Sequence, residues 1–168
     1  MNMSFLQFFN GLAGKIPFLR EAAILVSRPI GYVPLLILAL LPIFLTVKNR
    51  VLWLTLSLGS LGGAWVVARL MKLFFQIARP TDGIGEVLVY FKESGYSFPS
   101  EHASVFASLA VLGWYYDMRL GVALSALALF VGISRMVIGV HYPVDILTGF
   151  CVGTLVGIAV CTFGKQLL

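Results

Sequence analysis

The sequence predicts an all-α fold: a polytopic membrane bundle of about five transmembrane helices, preceded by an amphipathic helix lying in the interface. Two observations carry this expectation. Of 168 residues, 60% are hydrophobic and only 11% charged, with a mean hydropathy of +0.97. A soluble domain of this size could not expose such a composition to water without aggregating. The apolar residues also fall in long runs rather than in short half-buried stripes, the pattern of segments solvated by lipid. The length suits a single membrane-embedded domain over residues 1–168, divided into an interfacial helix (1–28) and a bundle (30–163).

Residues 1–28 carry Phe5, Leu6, Phe8, Phe9 and Leu12 but are broken by Gly11, Gly14, Lys15, Pro17, Arg20 and Glu21, too many interruptions to cross hydrocarbon. Their charges follow the first aromatic cluster, the reverse of a signal peptide, so an interfacial helix fits better. Runs near twenty residues then place spans at Ile30 to Val47, Val51 to Phe75, Ser100 to Tyr116, Leu120 to Ile138 and Pro143 to Phe163. Gly59, Gly62 and Gly63 in the second span, and Gly149 and Gly153 in the fifth, let helix backbones approach closely.

Lys48-Asn49-Arg50, Asp117-Met118-Arg119 and Lys165 share one side of this layout. The positive-inside rule makes that side cytoplasmic, with the C-terminus inside; in a bacterial inner membrane the opposite face looks to the periplasm or outside. The polar segment Gln76 to Pro99 and the turn Gly139 to Tyr142 both fall on that outer face. The net charge of +5 is spread over single Lys and Arg residues with no run that tracks nucleic acid, which excludes nucleic-acid binding. Cys151 and Cys161 are separated by roughly 15 Å along one helix and cannot bridge, and no Cys/His spacing suits a metal.

In a chain this poor in charge, ionisable residues at helix ends are functional candidates. Lys72, Arg79 and Arg135 would repel one another unless an anion sat among them, and Arg matches phosphate oxygens bidentately. Lys72 and Arg79 are seven apart, which on a continuing helix puts both along one face before Pro80 ends it. Arg69 has the simpler expectation of reaching the headgroups. Ser100 reads as an N-cap whose helix offers free N–H groups to an anion. His141 and Asp145, four apart, read as an imidazole with a carboxylate that orients it, and His102 opens the third span. Two histidines, three cations and no carboxylate cluster suited to a metal suggest phosphoryl transfer through a covalent histidine intermediate.

Lys72-x6-Arg79-Pro80, Pro99-Ser100-Glu101-His102 and Ser134-Arg135-x5-His141-x3-Asp145 resemble, in order and spacing, the three signature motifs of the type 2 phosphatidic acid phosphatase superfamily. The resemblance implies His141 as nucleophile, Asp145 orienting it, and His102 protonating the leaving group. It also implies phosphoryl contacts from Lys72, Arg79, Ser100 and Arg135, with Ser134 behind them, and no metal or other cofactor. Glu101 stands where the family usually has glycine, as in isoprenyl diphosphate phosphatases such as those recycling undecaprenyl diphosphate, and would relay a proton, contact a second phosphate, or pair with a nearby cation. The implied partners are membrane lipids and a lipid phosphate or diphosphate substrate. Phosphatidylglycerophosphate, phosphatidic acid and lipid A phosphates are the alternatives to the isoprenyl diphosphate. Composition excludes the soluble haloperoxidases of the superfamily. A small transporter or proton channel would instead place polar groups at mid-membrane, yet Leu35 to Leu41, Val122 to Phe130 and Gly149 to Ile158 contain no ionisable side chain of the Asp, Glu, His, Lys or Arg type.

Overall fold

A computed structural model of the chain describes residues 2–27, 50–83, 87–90 and 92–166. The expected span Ile30 to Val47, with Lys48 and Asn49 after it, lies outside the described residues. The described residues form six α-helices and no strand: α1 (Asn2–Lys15), α2 (Pro17–Ser27), α3 (Arg50–Phe75), α4 (Glu101–Tyr116), α5 (Met118–Val137) and α6 (Pro143–Gln166), with a 3-10 turn at Pro80–Asp82.

The N-terminal segment is two helices rather than one. Pro17 has no N–H to continue the ladder, so α1 stops at Lys15 and α2 restarts with proline in its first turn, where no donor is missed. Both helices pack on α5, and Leu6, Ala13 and Ala23 are fully buried, so this layer is part of the bundle. Phe5, Phe8 and Phe18 remain exposed and keep an apolar face turned outward, as an interfacial element requires.

Helices α3 to α6 match the four remaining expected spans to within a few residues. Three segments, Val51–Asp82, Met118–Val137 and Pro143–Gly164, are long and apolar enough to cross a membrane, with mean hydropathies of 1.7, 2.0 and 2.1. The fourth, α4, has 16 residues and eleven of them are buried. At about 1.5 Å per residue it is shorter than a full crossing, and it can be because it is the central helix, packed against α3, α5 and α6. Trp53, Leu56, Phe106, Leu109, Leu112 and Val131 fill the core around it.

The closest approach is between α4 and α6, and glycine makes it possible. A Cβ on Gly149 would lie 2.8 Å from the Ala103 Cβ, one on Gly153 2.8 Å from the Ala107 Cβ, and one on Gly157 2.8 Å from the Val111 Cβ. The small-residue stripe foreseen at Gly149 and Gly153 therefore runs a further turn, to Gly157. In α3, Gly59 and Gly63 face Val160 and Val156, whereas among the described residues a Cβ on Gly62 would meet no atom within 4 Å. Gly153→Ala is expected to destabilise the bundle by about 1–3 kcal/mol through overpacking. Gly62→Ala, with no described atom in reach of the added methyl on a helix, is expected to be neutral or stabilising by up to about 1 kcal/mol. Thermal unfolding in detergent of the two variants side by side checks the contrast.

This packing builds the site end of the bundle. The Ser100 N–H donates to the Asp145 carbonyl at 3.0 Å, tying the first turn of α4 to that of α6. Asn10 on α1 donates through Nδ2 to the carbonyls of Leu88 and Val137, both at 3.0 Å, and its Oδ1 accepts from the Leu88 N–H at 2.8 Å. One buried side chain thus pins the polar loop and the end of α5 to the N-terminal layer.

Candidate active site

Lys72 and Arg79 do converge, though not by helical periodicity. Helix α3 ends at Phe75, where Gln76 adopts a left-handed φ of 49°, and Arg79 is extended at φ −77°, ψ 154°. The two meet because the loop before α4 folds back onto them. Lys72 Nζ donates to the carbonyls of Tyr96 (2.6 Å) and Ser97 (3.1 Å), Arg79 Nε donates to the Gly95 carbonyl (3.0 Å), and the Ser97 N–H donates to Ile77 (2.7 Å). Gly95 sits at φ +85°, a conformation that only glycine adopts at no cost. Two buried cations are therefore partly solvated by carbonyl oxygens of one loop, which fixes that loop over the site.

His141 follows the turn that closes α5, where Gly139 at φ +80° presses against Val87 and Asn10. The ring is buried, 1% exposed, and its two nitrogens face different surroundings. Nδ1 lies 3.4 Å from Asp145 Oδ2 and 3.4 Å from Ser97 Oγ, and the Ser97 hydroxyl gives its own proton to that same Asp145 oxygen. Both neighbours of Nδ1 are thus acceptors, so Nδ1 carries the ring proton and Nε2 holds a lone pair. The Tyr142 N–H completes the set by donating to Asp145 Oδ2 at 2.8 Å.

Nε2 faces a cluster of charged groups. Arg79 Nη1 is 3.3 Å from this nitrogen and also reaches the Val140 carbonyl at 3.0 Å, and the fully buried Arg135 belongs to the same cluster. A third group completes it: Glu93 Oε2 lies 2.8 Å from Arg79 Nη1, 2.5 Å from Arg135 Nη2 and 3.9 Å from His141 Nε2. His102, in the first turn of α4, is buried. Chemically the arrangement presents an unprotonated imidazole nitrogen to an anionic centre clamped by two guanidinium groups.

The remaining candidates make contacts of their own. Ser100 is the N-cap of α4, its Oγ accepting from the Ala103 N–H at 3.3 Å. Ser134 Oγ donates to the Val131 carbonyl one turn back at 2.7 Å, within its own helix. Glu101 pairs with Arg69 at 3.4 Å, and the Arg69 side chain is about half exposed. Ser97 and Glu93 were not singled out in the sequence reading. Both sit in the irregular Gln76 to Pro99 segment, and only their nearness to Pro99-Ser100 and the scarcity of acidic residues could have flagged them.

Burial holds the His141 pKa well below the usual histidine value of 6.5, with further lowering from Arg135, Arg79, Lys72 and His102. Between that depressed value and about 6.5 the unfolded chain binds more protons than the folded one, so stability falls as pH drops through this window. Thermal unfolding in detergent from pH 7.5 down to 5 should show a steeper acid loss for the wild type than for His141→Gln.

The match to known proteins is extensive. Residues 50–167 fit the PAP2 superfamily, a range that runs from the start of α3 through the whole of α6. The chain is 30% identical over 161 residues to the putative undecaprenyl-diphosphatase YbjG of Escherichia coli, covering 92% of this chain and 78% of that one. It is 28% identical over 156 residues to the bacitracin transport permease protein BcrC of Bacillus licheniformis, covering 92% and 76%. Among solved structures, Aquifex aeolicus LpxE superposes with a TM-score of 0.75 at 25% identity, over 96% of this chain and 94% of that one. The family match spans every motif residue now seen around His141, and the helices that hold them are built for lipid. This chain is an integral membrane phosphatase belonging to the PAP2 superfamily.

Proposed function

We propose that the chain removes the terminal phosphate from an isoprenyl diphosphate of the undecaprenyl type through a phosphohistidine on His141, without a metal. The observation that carries this is the divided environment of His141. Nδ1 is held by Asp145 and Ser97, while Nε2 faces the space between Arg79 and Arg135. In the forward step Nε2 attacks the terminal phosphorus, an N–P bond forms, and the P–O bond to the lipid phosphate breaks, with His102 giving its proton to the departing oxygen. Water, giving a proton back to His102, then attacks the phosphohistidine and releases inorganic phosphate. Arg79, Arg135 and Lys72, with the α4 N-terminus capped by Ser100, stabilise the charge on the transferring group.

Two observations favour a long apolar substrate. The relatives include a putative undecaprenyl-diphosphatase. An apolar groove of about 620 Å³ between α1, α5 and α6 is lined by Phe9, Leu129, Ile133, Met136, Ile146 and Phe150. Met136 and Ile146 directly follow Arg135 and Asp145 in the chain, so a tail seated there would leave its headgroup near the pocket. The charge pattern of the loops supports a bacterial inner-membrane protein with this pocket facing outward and the C-terminus in the cytoplasm.

The test is phosphate release from undecaprenyl diphosphate and from phosphatidylglycerophosphate in detergent with excess EDTA, wild type against His141→Ala. Release by the wild type only, faster from the isoprenyl lipid, is expected. Preference for the glycerophospholipid would overturn the substrate, and release only after metal is added would overturn the mechanism. Glu101 belongs to the rim in this reading. Its exposed ion pair with Arg69 is of a kind worth about 0–1 kcal/mol, so Glu101→Gly should change kcat by no more than about fivefold. A hundredfold fall would give Glu101 a part in the chemistry.

A further inference from the structure

Glu93 is an acid in a pocket built for an anion. Its Oε2 touches both guanidinium groups that would clamp a phosphoryl oxygen, at 2.8 Å from Arg79 Nη1 and 2.5 Å from Arg135 Nη2, and lies 3.9 Å from the nitrogen that would attack phosphorus. Substrate oxygen and Glu93 carboxylate cannot both occupy this place. Two charge-assisted contacts are formed by the carboxylate and must be given up before a phosphate enters. Unlike the other site groups, Glu93 is partly exposed, its side chain at 24%, and it projects from a loop rather than a helix, so it has somewhere to go.

We propose that Glu93 is a specificity-determining residue: its carboxylate occupies the phosphoryl subsite of the empty enzyme and so excludes singly charged phosphodiester headgroups, while yielding to a terminal phosphate. The inference rests on the phosphatase reading above. Its logic is a competition of charges. A carboxylate carries one negative charge and a terminal phosphomonoester about 1.5 to 2 at neutral pH, so the exchange strengthens the interaction with Lys72, Arg79 and Arg135. A phosphodiester headgroup also carries one charge but has only two free oxygens and more bulk, so it gains nothing over Glu93. A cationic pocket opening at a lipid surface would otherwise stand filled by bulk anionic lipid, which outnumbers any substrate.

The experiment measures binding directly, on the full chain purified in detergent, by isothermal titration with orthovanadate, a tetrahedral oxyanion. Glu93→Gln keeps the side-chain shape and removes the competing charge. Its dissociation constant for vanadate should fall by about tenfold or more, the effect of relieving a charged hydrogen-bonded contact. In mixed micelles, phosphatidylglycerol should slow phosphate release by Glu93→Gln and leave the wild type unaffected. Vanadate binding that is unchanged or weaker in Glu93→Gln overturns the proposal, because Glu93 would then be holding the two arginines in place for the anion. Should the Gln variant fail to fold, Glu93→Asp keeps the charge and withdraws it by one methylene, and it should bind vanadate more tightly than wild type; equal or weaker binding overturns the proposal as well. Vanadate affinity is read without turnover, so failure of the phosphatase reading would appear separately, as absent phosphate release by the wild type.

Discussion

Replacing His141 with alanine is expected to lower kcat by at least about ten-thousand-fold, the scale on which nucleophile or base deletions act in covalent catalysis. The loss should fall on kcat and leave vanadate or phosphate binding within a few-fold, because Arg79 and Arg135 already hold one carboxylate, that of Glu93, without the imidazole. Stability should not fall with activity. A buried ring with its ionisation suppressed is replaced by a small apolar side chain at the end of the bundle, away from the core around Trp53 and Phe106. A single-turnover assay alongside thermal unfolding separates the two quantities. A variant that folds, binds the anion and still turns over at a hundredth of the wild-type rate would remove His141 from the covalent role.

Asp145→Asn is expected to give the second largest effect, a fall in kcat of about a thousand- to ten-thousand-fold with KM little changed. Three donors point at Asp145 Oδ2: the Ser97 hydroxyl, the Tyr142 N–H at 2.8 Å and the His141 Nδ1–H at 3.4 Å. An amide oxygen can accept from the same three, so the turn and the ring orientation survive. What disappears is the negative charge that offsets the positive imidazole once Nε2 bonds to phosphorus. A variant with full kcat and a raised KM would show that Asp145 serves binding and not the intermediate. Ser97→Ala should produce the milder version of this loss, because the carboxylate keeps its charge and loses one donor.

The legible part of this protein was whatever periodicity or fixed spacing encodes. The starts of α3, α4, α5 and α6 fall where the apolar runs begin at a charge or a proline, at Arg50, Glu101, Asp117 and Pro143, and Ser100 is the N-cap that its place after Pro99 suggests. His141 and Asp145 meet because the turn after Gly139 leads into a helix that begins at Pro143. One expectation rests on helical geometry where there is none. Arg79 was placed on a continuing α3, but the helix ends at Phe75 and the loop carbonyls of residues 95–97 draw Lys72 and Arg79 together instead. The N-terminal segment is helical as its composition suggests, but Pro17 divides it into two helices, and both pack on α5. Glu93 and Ser97 escaped because an irregular loop has no period. The positions of Ser97 and Glu93 are set by hydrogen bonds of Ser97 to Lys72 and Asp145 and by the ion pair of Glu93 with Arg79, which only the folded chain brings within reach.

The central claim is that phosphate passes through Nε2 of His141. It is tested most directly by incubating the chain briefly with terminally labelled undecaprenyl diphosphate, quenching in alkali, where phosphohistidine survives, and locating the label by peptide mapping. Label on the peptide holding His141, absent from His141→Ala, is the predicted result. A wild-type chain that turns over without ever carrying label, or label that persists in His141→Ala, would contradict the account.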